Sequence, residues 1–454
     1  MVEALRPLAR ITDPAELERV PPSPPRRWPT PSSSVSASAG PGGWRVGGNY
    51  TGLAMDPRAD PAGLLPLVRG RYGGAVRELE RLVGVDSGSW SPAGVNQVAD
   101  LVEARLRGAG WAVERRSHQP AVGEAQLGDV LIGRRHGGLP VDLGGRRLLL
   151  MAHMDTVYED GCAAARPFRV EGSRAYGPGV TDDKAGIVAG IEAVEVLCDD
   201  AAFNRFATIT LLCTPDEEVG SLFSKPIVRE LAGEHDVAIG LEAARVNGNL
   251  VSARKGIAVF TVDIAGREAH AGVRPHEGVN AALEAAHKTV ALHGLTGRWP
   301  DVTCNVGLVR AGTRSNVVAG AATLEFELRA ASSASFDAAV AAALAIVAEP
   351  TVPGSTATIR EVHRHPPMER TAAVAALVAE TQAVARALGL EVGEQATGGA
   401  GDANISAALG VPTIDGFAPI GGDAHAPGEW LDLDSVVPRI TLLAALLARL
   451  GSGG

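Results

Sequence analysis

The order in which strand-like and helix-like segments follow one another is what most constrains this chain. Apolar runs at 147–152, 207–213 and 237–241 read as buried strands, with a helical pattern over 184–197 between the first two. Val98, Leu101, Val102 and Leu106 mark another helix, which ends at Gly108 or Gly110. Such alternation implies an α/β fold, a largely parallel sheet flanked by helices. Between Gly256 and Val362 the order changes to strand 257–264, helix 279–294, strand 303–310, strand 321–329, helix 334–348 and strand 356–362. This β-α-β-β-α-β succession is the ferredoxin-like pattern, and it interrupts the first domain. Helix 372–388, helix 402–409, strand 412–416 and helix 435–450 then resume, completing the interrupted sheet.

The expected organisation is an extension at 1–65, a first part of the main domain at 66–256, an inserted domain at 257–364 and a second part at 365–454. A length of 454 residues suits two domains with substantial cores. Residues 21–54 are rich in proline, serine and glycine, so a linker or a tail lying on the surface is expected there, and Met55 offers a second candidate start.

Composition removes several classes of function. With 46% hydrophobic and 21% charged residues the chain reads as a soluble globular protein, and its net charge of −10 argues against a nucleic-acid partner. Cys162, Cys198, Cys213 and Cys304 are widely spaced and form no CxxC pair, which argues against a zinc knuckle or a disulfide framework. No apolar run reaches the roughly 18 residues that a membrane helix needs. Met1 to Val20 mixes acids and arginines with short apolar pieces, unlike a secretory signal, so a cytoplasmic location without membrane association is expected.

Residues that carry chemistry gather where strands should end, the place where ligands bind in such sheets. His153 and Asp155 close the first run, and side chains two apart on a strand share a direction, so the pair suits a metal ligand and its orienting carboxylate. Asp182 and Asp183 precede a helix, where they serve either as caps or, for Asp182, as a carboxylate bridging two cations roughly 3.5 to 4 Å apart. Asp216-Glu217-Glu218 follows the next strand and reads either as a solvated acidic turn or as a division of labour. In the second reading Glu218 holds a metal while Glu217 faces the attacking water. Glu242 ends the third strand, and His425 lies on a late loop.

Together the segments MAHMDTVY, AYGPGVTDDKAG, CTPDEEVGS, the Glu242 strand end, REAHAGVRPHEGVNA and GGDAHAPGE resemble the two-zinc metallopeptidase superfamily of glutamate carboxypeptidase, aminoacylase and acetylornithine deacetylase, most closely glutamate carboxypeptidase. The resemblance spans about residues 70 to 450. It implies a zinc-peptidase-like catalytic domain with an inserted lid and dimerisation domain. It further implies two Zn²⁺ ions per chain, with Co²⁺ or Mn²⁺ as substitutes, held by His153, Asp182, Glu218, Glu242 and His425. Asp182 would bridge them, Glu217 would be the general base, and Asp155 would orient His153. A cis peptide is implied at Asp182-Asp183.

By the same resemblance, His270 is an oxyanion donor supplied by the partner subunit of a homodimer. Asn316 is an amide donor to the substrate, Arg329 suits the carboxylate of a small peptide or N-acyl amino acid, and Gly399 lies on a loop along the substrate. The implied activity is removal of a C-terminal amino acid, with glutamate as the family's example. An N-acyl-amino-acid deacylase or dipeptidase using the same site is an alternative, as is an inactive binding homologue. Arg245, Arg254, Lys255 and Arg364 are not placed by the sequence, which leaves the released amino acid open.

Overall fold

The computed structural model describes residues 56–452, so the linker read into 21–54 lies outside the described residues. Ten strands build the two principal sheets. In chain order they are β1 (Ala112–Arg116), β2 (Val130–His136), β3 (Arg147–His153), β4 (Thr208–Thr214), β5 (Val237–Gly240), β6 (Gly256–Ala265), β7 (Thr303–Ala311), β8 (Ala321–Ala330), β9 (Thr356–His365) and β10 (Thr413–Ile414).

The first sheet has the order β1-β2-β4-β3-β5-β10. Its β4, β3, β5 and β10 run parallel, as the alternation implies. At one edge β1 and β2 join antiparallel, which makes the sheet mixed rather than nearly all parallel. The sequence Ala-Val-Glu-Arg-Arg of β1 contains no buried run, so period and hydrophobicity give little sign of it.

Helices cover both faces of this sheet, and the two-residue period of β3 shows it directly. Leu148, Leu150 and Ala152 join the core formed with helices Leu64–Val83, Lys184–Glu195 and Val436–Leu450, whereas Leu149 and Met151 face Ile227, Val228 and Leu231. A strand buried on both sides must be apolar throughout. After Arg147 at its start, the next polar side chain of the strand, His153, therefore falls where the strand leaves the core.

Helix Lys184–Glu195 is buried over its whole length. Its close seat on the sheet needs small residues, because a Cβ at Gly186 would lie 2.2 Å from the Leu241 carbonyl and one at Gly190 would lie 2.7 Å from Leu241 Cδ1. The predicted helix 402–409 is the shorter Asp402–Ala407, and strand 412–416 contracts to β10.

The second sheet has the order β7-β8-β6-β9 and is antiparallel throughout, the arrangement expected of the β-α-β-β-α-β segment. Helices Ala281–His293 and Ser333–Ala348 supply the rest of its own core, where Phe260 stacks on Phe326 with ring centroids 5.0 Å apart. Each helix begins on a side-chain cap: Asn280 accepts the N–H groups of Ala282 and Leu283, and Ser332 accepts that of Ser335. A smaller five-stranded sheet includes the antiparallel pair Ala418–Gly422 and Trp430–Asp432, whose connecting loop carries His425. Among the described residues no helix is long and apolar enough to cross a membrane.

Candidate metal centre

Two groups of donors converge at the carboxyl ends of β3, β4 and β5. His153, Asp182 and Glu242 form one, and Asp182, Glu218 and His425 form the other, the donor atoms within each group lying within 4.8 Å of one another. Asp182 belongs to both. Its Oδ1 is 2.9 Å from His153 Nε2 and its Oδ2 is 3.2 Å from His425 Nε2, so the two oxygens of one carboxylate face two different imidazoles. Glu242 Oε1 stands 3.7 Å from His153 Nε2, and Glu218 Oε2 stands 3.0 Å from His425 Nε2.

The electrostatics favour cations at both positions. Burial opposes a charge on His153, yet Asp155 and Asp182 beside it push its pKa well above the ordinary range. Asp182 and Glu218 raise His425 to about 10. Burial works to raise the Asp182 carboxyl too, but hydrogen bonds with His153 and His425 prevail and hold it below the usual carboxylate range. Burial, then the nearby Asp182 charge, lifts Glu242 to about 7. Glu218 Oε1 is buried without a partner among the described residues. An orphaned acceptor beside one imidazole and two carboxylates per group is the donor chemistry that Zn²⁺ takes, with one carboxylate shared as in two-metal sites.

The scaffold behind these donors is specific. Asp155 meets His153 Nδ1 with its backbone carbonyl at 3.0 Å and with its carboxylate at 3.3 Å, so main chain and side chain both orient the ring. The same carboxylate accepts the backbone N–H groups of Glu217 and Glu218, each at 3.2 Å, and the Ser89 hydroxyl at 2.7 Å. No protein donor among the described residues reaches the Glu217 carboxylate, and its packed surroundings push that group well above the usual range against the pull of His153. The Asp182-Asp183 peptide is cis.

Sequence reasoning missed Glu429, which is buried and gathers the Asp182 loop: it accepts N–H groups from Gly179 at 2.9 Å, Thr181 at 2.9 Å and Asp182 at 3.1 Å. Lys184 is also buried, its ammonium donating to the Val85 carbonyl at 2.8 Å. Tyr158 fastens the His425 loop through the Ala426 carbonyl at 2.9 Å. Glu429 lies in the His425 segment, but nothing in its spacing says which backbone it will hold.

The remaining candidates lie elsewhere or already have partners. His270 is exposed, and its backbone pairs with that of Val317, which places it next to Asn316 at one end of the inserted sheet. Among the described residues no hydrogen bond connects either residue to the donor groups. Arg329 is forked by Glu327 at 2.9 and 3.1 Å and donates to the Gly398 carbonyl at 2.8 Å. The Gly399 carbonyl accepts from Arg254 at 3.3 Å, while the Arg254 Nε is paired with Asp415 at 2.8 Å. Arg245 has its Nε buried without a partner among the described residues, and Lys255 and Arg364 are engaged by the Asp301 carbonyl and Glu361.

The model of peptidase family M20/M25/M40 matches residues 149–449, a span that contains all of these donors. The chain belongs to that family. Carboxypeptidase G2 of Pseudomonas sp. (strain RS-16) is 31% identical over 381 residues, covering 83% of this chain and 89% of that protein. Acetylornithine deacetylase of Myxococcus xanthus is 28% identical over 263 residues, covering 55% and 65%. Among solved structures, aminopeptidase PepT of Bacillus cereus matches with a TM-score of 0.68 at 24% identity, covering 84% of this chain and 98% of that one, which is a likeness of fold. This M20 chain is therefore a metallohydrolase of the metallopeptidase and amidohydrolase type, with candidate metal groups in place.

Proposed function

We propose that the chain is a dinuclear zinc amidohydrolase that removes the C-terminal amino acid from a short peptide or an N-acyl amino acid. The observation that carries this reading is Asp182 shared between two donor groups, with the unengaged Glu217 carboxylate beside them. His153, Asp182 and Glu242 would hold one ion, and Asp182, Glu218 and His425 the other. When bound, the ions supply Lewis acidity and bring a water's pKa toward neutrality.

The chain's own residues do the rest. Glu217 accepts a proton from the attacking water and returns it to the amide nitrogen as the C–N bond breaks, leaving a free carboxylate and a free amine. Asp155 keeps His153 and the Glu217-Glu218 backbone fixed through both transfers. Arg329 and Asn316 would take the substrate carboxylate, Arg329 exchanging its Glu327 partner to do so, and Gly399 would lie along the bound chain.

His270 would reach the oxyanion from the partner subunit of a homodimer. The free edge strand β7, exposed along most of its length, supports assembly through the inserted segment. Likeness to carboxypeptidase G2 supports the carboxypeptidase reading, and likeness to acetylornithine deacetylase keeps the deacylase alternative in view.

Elemental analysis combined with turnover of acetylated and benzoylated amino acids that differ only in the C-terminal residue tests the proposal. Two zinc ions per chain with hydrolysis of part of the panel is the expected result. Preference for glutamate supports the glutamate-type activity, and preference for another residue moves the assignment to a deacylase or dipeptidase. Full activity in metal-free protein would overturn the reading.

A further inference from the structure

The loop bearing Glu217 and Glu218 begins at Thr214 and ends at Ser221, and one buried carboxylate ties both ends. Asp402 Oδ2 accepts the Thr214 hydroxyl at 2.7 Å, and Asp402 Oδ1 accepts the Ser221 hydroxyl at 2.6 Å. All three residues are buried. A buried carboxylate is costly unless its oxygens are satisfied, and here the partners that satisfy it are the first and last residues of the loop.

Ser221 explains why a tie is needed. Its φ is +53°, a left-handed conformation that a residue with a side chain adopts only when its surroundings impose it. The preceding Gly220, at φ +92°, makes the turn, and the Ser221 hydroxyl then closes onto Asp402. The residue before Asp402 acts on the loop directly, because a Cβ at Gly401 would stand 2.9 Å from Glu217 Oε1. Gly401 is thus a bare backbone surface against which the Glu217 carboxylate rests. The segment leading to it is pinned in turn by Arg254 at the Gly399 carbonyl and by the Asn404 side chain at the Gly401 N–H, 3.0 Å away.

We propose that Asp402 is a positioning residue for Glu217: by fastening Thr214 and Ser221 it sets the loop so that the Glu217 carboxylate rests on Gly401, facing the metal centre. The inference rests on the reading of Glu217 as general base. Geometry rather than charge is what Asp402 contributes. An asparagine, able to accept from one hydroxyl and donate to the other, therefore keeps most of the effect, whereas alanine loses it.

The test compares Asp402→Ala and Asp402→Asn in the metal-loaded enzyme, with kcat, KM and metal content measured on the best substrate of the panel. Asp402→Ala should lose on the order of 100-fold in kcat, the scale of a small misplacement of a reacting group, with KM and both metals retained. Asp402→Asn should recover most of that loss. In a Glu217→Ala background, Asp402→Ala should cost nothing further, since a residue that acts through another is silent once that other is gone.

If Asp402→Ala does not fold, Ser221→Ala and Thr214→Val, each cutting one tie, should show smaller losses in kcat with the same pattern. Wild-type kcat in these variants, equal impairment of the alanine and asparagine forms, or additivity with Glu217→Ala would overturn the proposal. A crystal structure of Asp402→Ala separates this claim from the choice of substrate: the Glu217 carboxylate should have left Gly401 even if the wild-type enzyme cleaves none of the panel, and an unmoved Glu217 refutes the positioning role.

Discussion

The carboxylate of Glu429 accepts the backbone N–H of Asp182 at 3.1 Å, although the two residues are 247 positions apart in the chain. It also holds Gly179 and Thr181, so the loop that presents the shared carboxylate hangs on one buried side chain. Glu429→Ala leaves three backbone donors without an acceptor. Stability should fall by about 3 kcal/mol, seen as a lower urea midpoint, and both metal positions should weaken together because Asp182 belongs to each. Loss of one metal alone would mean that Glu429 supports a single position.

Glu217 and Glu218 are adjacent but differently placed, since only Glu218 lies in a donor group. Glu217→Ala should retain two metals and lose about 10²-fold to 10⁴-fold in kcat, the usual worth of general-base catalysis. Glu218→Ala should lose metal at the His425 position. Equal metal loss in the two variants would remove the division of labour.

His365, at the end of β9, is buried, and burial, with Lys225 and His363 nearby, lowers its pKa to about 3 from an ordinary value of 6.5. The folded state thus holds it neutral while the unfolded chain takes up a proton below 6.5. Its contribution is fully present above pH 6.5 and is lost as the pH falls from there toward 3. Between pH 7 and pH 4 this group should cost the fold on the order of a few kcal/mol. Chemical denaturation of wild type and His365→Asn at both values measures it, with the variant expected to show a clearly shallower decline.

If the partner subunit supplies His270, mixing inactive Glu217→Ala with inactive His270→Ala under subunit exchange restores activity. In each mixed dimer one site combines an intact Glu217 with an intact His270 from across the interface. Proven exchange without recovery would show that the histidine acts within its own subunit or not at all.

Much of the architecture was legible because periodicity is a local property. The β-α-β-β-α-β segment and the buried runs ending at His153, Thr214 and Gly240 follow from hydrophobic spacing that neighbouring residues must satisfy together. The antiparallel edge made by β1 and β2 was not legible, since Glu114, Arg115 and Arg116 carry no apolar signal and the strand is fixed by pairing with Val130–Arg134. The hairpin that delivers His425 was hidden for a similar reason: its strands are short, and their register is set by each other.

The donors themselves, His153, Asp182, Glu218, Glu242 and His425, could be named from the sequence because each stands in a recognisable local segment. The same segments mark Asp182 as the shared carboxylate, but they do not say what holds it in place, which is the seat of helix Lys184–Glu195 against Leu241 and the grip of Glu429 on the loop before it. Nor could spacing reveal Asp402, whose partners lie 188 and 181 residues away. Composition and pattern determine where strands end and which side chains arrive there. Only the packed tertiary structure decides how those side chains are aimed, because the hydrogen bonds that aim them close between segments that hydrophobic burial first has to bring together.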